Sequence, residues 1–276
     1  MDNNINLIIE ELYDIMETDA IEKARESRKD FNNYKLNGKN IPRVTKIIDS
    51  CIDNAGLLIW AVNLGSKQYY AQQTEVTTIG TKVHEAIEEY INGNEPKLNY
   101  NSILKKDIAI CQAYDNFVIW LNCLIEMGHT FTTIGTEIKI VTPFYAGTID
   151  CICKIDNYYY IIDFKTSKEL RYDYFIQVCA YKWAVDNGYL DPKYNIDHIN
   201  GIGLIRVDKT YKKFEDLFMN ENNPEQLRMI NYYQNTFFNM LHLYYDRINC
   251  DYSFHKYKKA YNYNIESGLI AEENNK

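Results

Sequence analysis

A chain of 276 residues, 46% hydrophobic and 25% charged, is long enough to bury a full core and has the composition of a globular protein. Its net charge of −8 argues against a protein that coats nucleic acid, whose non-specific affinity comes from neutralising phosphates; an enzyme gripping a short stretch through a local basic groove stays open. No apolar run approaches the ~20 residues of a membrane helix. The acidic amino terminus lacks the basic start of a secretory or transit peptide, so an intracellular location, cytoplasmic or inside a host cell, and no membrane partner are expected.

Residues 5–27 place Ile5, Ile8, Ile9, Leu12, Ile15 and Met16 at helical spacing, as a docking or core helix would. The polar residues 28–41 read as a loop. A short helix bracketed by Thr45 or Asp49 and by Asp53 follows, then another over residues 55–64. Trp60, Tyr69 and Tyr70 have the chemistry to stack on the bases of a single strand, although core packing is the commoner role and the expected one for Trp60. A helix predicted over residues 81–91 packs through Val83, Ile87, Tyr90 and Ile91, leaving His84 and Glu88, four residues apart, on another face. The Gly- and Asn-rich residues 92–102 lead to a long helix over residues 103–127, closed by Gly128. A strand over residues 132–141 precedes a hairpin; then come a helix over residues 174–187 stopped by Gly188, a strand over residues 201–207, and a helix opened by Pro224 that ends near Ile248. The tail after Tyr261 reads as disordered.

The hairpin carries the chemistry. Residues 148–155 and 158–164 are rich in Ile, Tyr, Phe and Cys and flank Asp156-Asn157, residues that tolerate the positive φ of a tight turn. A two-residue loop pairs Ile155 with Tyr158, which by counting sets Asp150 opposite Asp163, with Cβ atoms roughly 5 Å apart, and Thr148 opposite Lys165. Asp163 and Lys165 share one face, since side chains alternate along a strand. Two carboxylates facing each other need a cation between them or a proton on one of them, and oxygen ligands favour a hard ion, Mg²⁺ or Mn²⁺. Charged residues on a wet sheet face are the plainer explanation. They account less well for three charges set among Ile149, Ile152, Ile161, Ile162 and Phe164.

Asp150 followed across a hairpin by Asp163-Phe164-Lys165 resembles the core of the PD-(D/E)XK nucleases, and Gln177-Val178-Cys179-Ala180-Tyr181 on the next helix is similar to the Gln-x-x-x-Tyr element of their RecB-type branch. Gly80-Thr81-Lys82-Val83-His84 resembles that branch's Gly-x-x-x-His helix. Glu137 stands where a strand glutamate precedes Gly147-x-x-Asp150. Residues 42–48 and 58–61 are similar to amino-terminal segments of viral and phage exonucleases and of the mitochondrial genome maintenance exonuclease. Ile149 replaces the proline of the family name. The resemblance implies an α/β restriction-endonuclease-like core, a mixed sheet flanked by helices, over residues 79–262, with a helical annex over 1–78 and a tail over 263–276. It implies a DNA exonuclease of replication, repair or recombination, acting on duplex ends or single strands. The alternatives are an endonuclease, or an inactive DNA-binding or assembly subunit of the same fold. It implies one or two Mg²⁺ or Mn²⁺ ions held by His84, Asp150, Asp163, the backbone carbonyl of Phe164 and, more weakly, Glu137. Asp150, Asp163 and Lys165 would act on the phosphate, Gln177 and Tyr181 would position Lys165 or the phosphate, and Glu88 would orient its helix or the histidine. A basic groove would draw on Lys168, Arg171, Arg206, Lys209, Lys212, Lys213, Lys256, Lys258 and Lys259.

Two other metal chemistries fit poorly. His84-Glu85-Ala86-Ile87-Glu88 lacks the second histidine of a zincin helix. The seven cysteines, at 51, 111, 123, 151, 153, 179 and 250, contain no Cys-x-x-Cys and only Cys250 lies near the carboxyl end, so a reduced chain without the iron–sulfur cluster of some RecB-like nucleases is expected.

Overall fold

The computed structural model describes residues 3–27, 34–52 and 62–273, and the side chains among them of 5–27, 34–52, 62–65 and 67–253. Trp60 and the side chains of Lys256, Lys258 and Lys259 lie outside the described residues. Around one sheet the elements run α1 (Asn3–Met16), α2 (Asp19–Ser27), β1 (Tyr34–Leu36), β2 (Lys39–Ile41), α3 (Val44–Cys51), α4 (Ser66–Ile91), α5 (Lys105–Glu126), β3 (Phe131–Val141), β4 (Ala146–Ile155), β5 (Tyr158–Lys165), α6 (Tyr172–Asp186), β6 (Gly201–Val207), β7 (Phe214–Asn220) and α7 (Pro224–Glu273).

The central sheet has the order β3-β4-β5-β6-β7 and is mixed. Only β5 and β6 run parallel, and α6 makes the crossover that such a pair requires. The fold is therefore α/β, with helices on both faces. One face buries Ile149, Ile152 and Ile161 with Leu12, Ile47, Ile176, Phe237 and Tyr245, so the amino-terminal helices share a core with α6 and α7. The other buries Cys151, Cys153, Ile162 and Phe164 beneath Val83 of α4 and Phe117 and Trp120 of α5. From Cys151 to Phe164 strand alternation divides the hairpin between two cores, which is why its sequence reads as nearly continuous apolar residues; Ile149, two residues before Cys151, lies in the opposite core, across the break in pairing at Asp150.

Several sequence expectations are corrected. The helix over residues 5–27 is two helices, broken where the Thr18 hydroxyl bonds the Ile15 carbonyl. Within the expected 28–41 loop lies a two-stranded hairpin, β1–β2, turned by Asn37 (φ 50) and Gly38 (φ 80), an Asn-Gly pair able to take two left-handed conformations in a row. Helix α4 begins at Ser66, about four turns before the expected start, so a boundary at residue 78 falls inside it. Strand β7 was not anticipated, and α7 continues past Ile248 to Glu273, through residues read as a disordered tail. Helix α5 is, among the described residues, long and apolar enough to cross a membrane, contrary to the sequence reading; here its Ala113, Phe117 and Trp120 are buried in the second core.

The hairpin register is as counted. Ile155 pairs with Tyr158 around Asp156 (φ 53), whose carboxylate accepts the Thr130 N–H at 2.9 Å and lies 2.8 Å from His129 Nδ1.

Candidate metal centre

The regular pairing breaks at Asp150 on both sides. Toward β5 the ladder ends at Cys151↔Ile162, one pair short of Asp150 and Asp163; toward β3 it skips from Thr136↔Cys151 to Ile138↔Ile149. The residue left out of β3 is Glu137, at φ 47, a left-handed conformation that costs a non-glycine residue roughly 1–3 kcal/mol. Released from the ladder, the Asp150 carboxylate accepts the backbone N–H of Phe164 through Oδ2 at 2.9 Å.

His84 from α4, Glu137 from β3 and Asp150 from β4 offer ligand atoms that all lie within 4.8 Å of one another, a possible metal-binding triad. His84 Nδ1 stands 3.4 Å from Asp150 Oδ2. The three residues line an open cleft with Gly80, Thr81, Glu85 and Glu88, so water and a substrate have access. One imidazole and two carboxylates converging from three elements are a chemically apt donor set for a divalent cation, with room left for other ligands. Glu88 bonds the Thr136 hydroxyl at 3.3 Å, tying α4 to β3; this fits the helix-orienting half of its expected role.

Asp163, on β5, makes its contacts with Lys165 and with Gln177 of α6. It is 3% exposed, and its Oδ2 lies 2.7 Å from Lys165 Nζ. Gln177 joins the pair, with Oε1 accepting from Lys165 at 3.3 Å and Nε2 donating to Asp163 Oδ1 at 3.2 Å and to the Tyr181 hydroxyl at 3.3 Å. Gln177 thus reaches Lys165 from α6, and Tyr181, one turn on, reaches Gln177. Gly147 is what admits Tyr181: a Cβ on Gly147 would fall 2.6 Å from the tyrosine oxygen. The acids Asp150 and Asp163 are near neighbours, yet in this structure Asp150 belongs to the histidine and Asp163 to the lysine.

Burial works against charge on both groups of each pair; pairing outweighs it for His84, Asp150 and Lys165 and does not for Asp163. For His84, burial favours the neutral ring, but the Asp150 carboxylate outweighs it and pushes the pKa up to about 9. Asp150 is correspondingly held low despite burial, by His84 first and by Lys165. Asp163 goes the other way, up to about 6, because burial and the Asp150 charge together outweigh Lys165. Lys165 stays above the usual lysine value, the acids Asp163 and Asp150 overcoming its burial. Burial first, and the Asp150 charge with it, raise Asp163, while Asp150 is held low.

The basic groove is thinner than the sequence suggested. Arg206 is buried and bound to Glu215 and Asp208, and Arg171 is bound to Asp173. Lys168, Lys212 and Lys213 are exposed. Sequence reasoning missed Tyr174, whose ring lies 4.6 Å from Lys165 Nζ; its spacing of three from Gln177, on the same helix, was the available signal.

No family model and no curated protein matches this chain. A crystal structure titled SSO0001 aligns over 46% of this chain and 62% of its own, with 17% sequence identity and a TM-score of 0.23, a likeness too slight to bear on function. The chain thus spans less than two thirds of that protein's length.

Proposed function

We propose that this chain is a divalent-metal-dependent deoxyribonuclease of the PD-(D/E)XK type, RecB-like branch, with a restriction-endonuclease-like core, working as an exonuclease on DNA ends or single strands. The observation that carries the reading is the convergence of His84, Glu137 and Asp150 on an open cleft beside the buried Asp163–Lys165–Gln177 network. Asp163 and the Phe164 carbonyl complete the proposed ligand set.

A bound Mg²⁺ or Mn²⁺ would polarise the phosphoryl oxygen and acidify a ligated water. The chain's own groups do the rest. Asp150, fixed by the Phe164 N–H, presents an ionised oxygen on the cleft side. Lys165 holds its proton more tightly than an ordinary lysine, which suits it to neutralise charge developing on phosphorus and not to abstract a proton from water. Gln177 holds both Lys165 and Asp163, so neither swings when the other is drawn toward substrate.

The deciding experiment incubates purified protein with end-labelled single- and double-stranded DNA in Mg²⁺, Mn²⁺ or EDTA. Metal-dependent loss of label as mononucleotides or short oligonucleotides is expected; no cleavage with either metal would overturn the reading in favour of an inactive binding subunit.

His84→Ala should impair cleavage far more than Glu85→Ala, because His84 meets Asp150 while Glu85 is exposed and paired with Lys82 at 2.5 Å. Equal effects would return His84 to a structural role. Binding by a cleavage-dead variant should fall with salt along a shallow slope of roughly −3 in log K against log salt, as a few exposed lysines imply. A slope near −9 would contradict the thin groove.

A further inference from the structure

We infer that Tyr174 is a positioning residue for Lys165, its ring face holding the ammonium in place while the lysine exchanges its hydrogen-bond partners for the phosphate; this rests on the nuclease reading above. In the structure three groups surround Lys165 Nζ: Asp163 Oδ2 at 2.7 Å, Gln177 Oε1 at 3.3 Å and the Tyr174 ring at 4.6 Å from its centroid. An ammonium has three N–H donors; Gln177 Oε1 takes one in a fixed direction, and Asp163 Oδ2 holds the charge as its ion-pair partner. A phosphate oxygen entering the site has to displace one of these partners or take a remaining donor.

The ring is different in kind. Attraction of a cation to an aromatic face acts on the charge as a whole and tolerates rotation about the Cε–Nζ bond, so it persists while individual hydrogen bonds are remade. Tyr174 is also braced from outside. The Arg171 guanidinium lies 5.2 Å from the same ring and is itself fixed by Asp173 at 2.5 and 2.9 Å. Tyr174 is partly buried against the first core, so the ring is a fixed wall beside the long lysine side chain, independent of the partners it exchanges.

The test uses Tyr174→Phe, Tyr174→Trp and Tyr174→Leu in the full chain. Phe and Trp keep a ring face and should cleave within about threefold of wild type; Leu, of comparable bulk but with no π face, should lose roughly tenfold in kcat with KM for DNA unchanged. A Leu variant with wild-type kcat overturns the inference, as does a Phe variant as impaired as Leu, which would make the hydroxyl the working group. A rise in KM alone also overturns it, making Tyr174 a surface for DNA. A second readout is independent of cleavage: the ε-methylene protons of Lys165 should show an upfield ring-current shift by NMR that is kept in Phe and lost in Leu. Wild-type protein without nuclease activity but with that shift would sink the nuclease reading and leave the Tyr174 contact standing; no shift in the wild type would sink the contact itself.

Discussion

Lys165→Ala and Asp163→Ala should each lower metal-dependent DNA cleavage by ~10³-fold or more, a loss of about 4 kcal/mol of transition-state stabilisation. The two groups form one buried unit, with 2.7 Å between Nζ and Oδ2 and Gln177 bonded to both. Removing the lysine takes away the cation that, among the described residues, is paired with Asp163; removing the acid frees the lysine from its nearest partner and takes away a proposed ligand. Truncating one member of a buried ion pair also costs about 3–5 kcal/mol of stability, so loss of activity in an alanine variant has to be separated from unfolding. Lys165→Met and Asp163→Asn keep the shape and remove only the charge. Single-turnover cleavage of labelled DNA, with far-UV circular dichroism and urea melts of the same preparations, decides the matter. Near wild-type cleavage by any folded variant of either residue would end the assignment of a reacting phosphate to this place.

The sequence made the hairpin and its neighbours legible because each signal was local. Asp156-Asn157 sets the turn, the turn sets the register, and alternation then puts Asp163 and Lys165 on one face; Gln177 and Tyr181 follow from helical spacing. What stayed hidden depends on departures from regular geometry. The bare register sets Asp150 against Asp163, but a ladder that opens on both sides of Asp150 swings its carboxylate to the Phe164 N–H and to His84. The prominence of Glu137 rests on φ 47 in mid-strand, which its residue type and flanking strand-formers do not announce. Arg206 looked like a groove residue although Asp208, two residues on, is one of its partners; its other partner, Glu215, reaches it only once β7, itself unforeseen, is paired with β6. The early start of α4 was missed for a related reason, since residues 67–78 are mostly exposed and show no apolar stripe.

The loss of stability that rising pH brings to the metal-free protein between pH 7 and 9 should be cancelled by a saturating divalent cation. In EDTA, His84 with a folded pKa near 9 contributes stability that is fully present below its unfolded value of 6.5 and is lost as pH rises through 9. Asp163, raised to about 6, binds its proton more tightly in the folded chain, so stability is gained as pH falls through 6 toward its ordinary 3.8. Both act in the same direction: metal-free protein should melt higher on going from pH 9 to pH 5, with His84 contributing of order 3 kcal/mol and Asp163 roughly 1 kcal/mol over that range. A metal ion offsets the His84 contribution, because it requires the neutral imidazole and ionised carboxylates that protons oppose, so the metal-bound slope over pH 7–9 should be close to flat. Between pH 7 and 9 each unit should raise metal affinity roughly tenfold as the His84 proton is surrendered, and the added stabilisation follows the logarithm of that affinity. Thermal melts in EDTA and in Mg²⁺ over pH 6–9, with calorimetry in two buffers of different ionisation enthalpy to count released protons, measure both slopes. His84→Gln should abolish the rise in affinity above pH 7 and with it the proton release at that pH. Parallel slopes with and without metal, or binding that releases no proton at pH 7, would mean that the imidazole beside Asp150 does not meet the cation and that the triad is a structural ion pair.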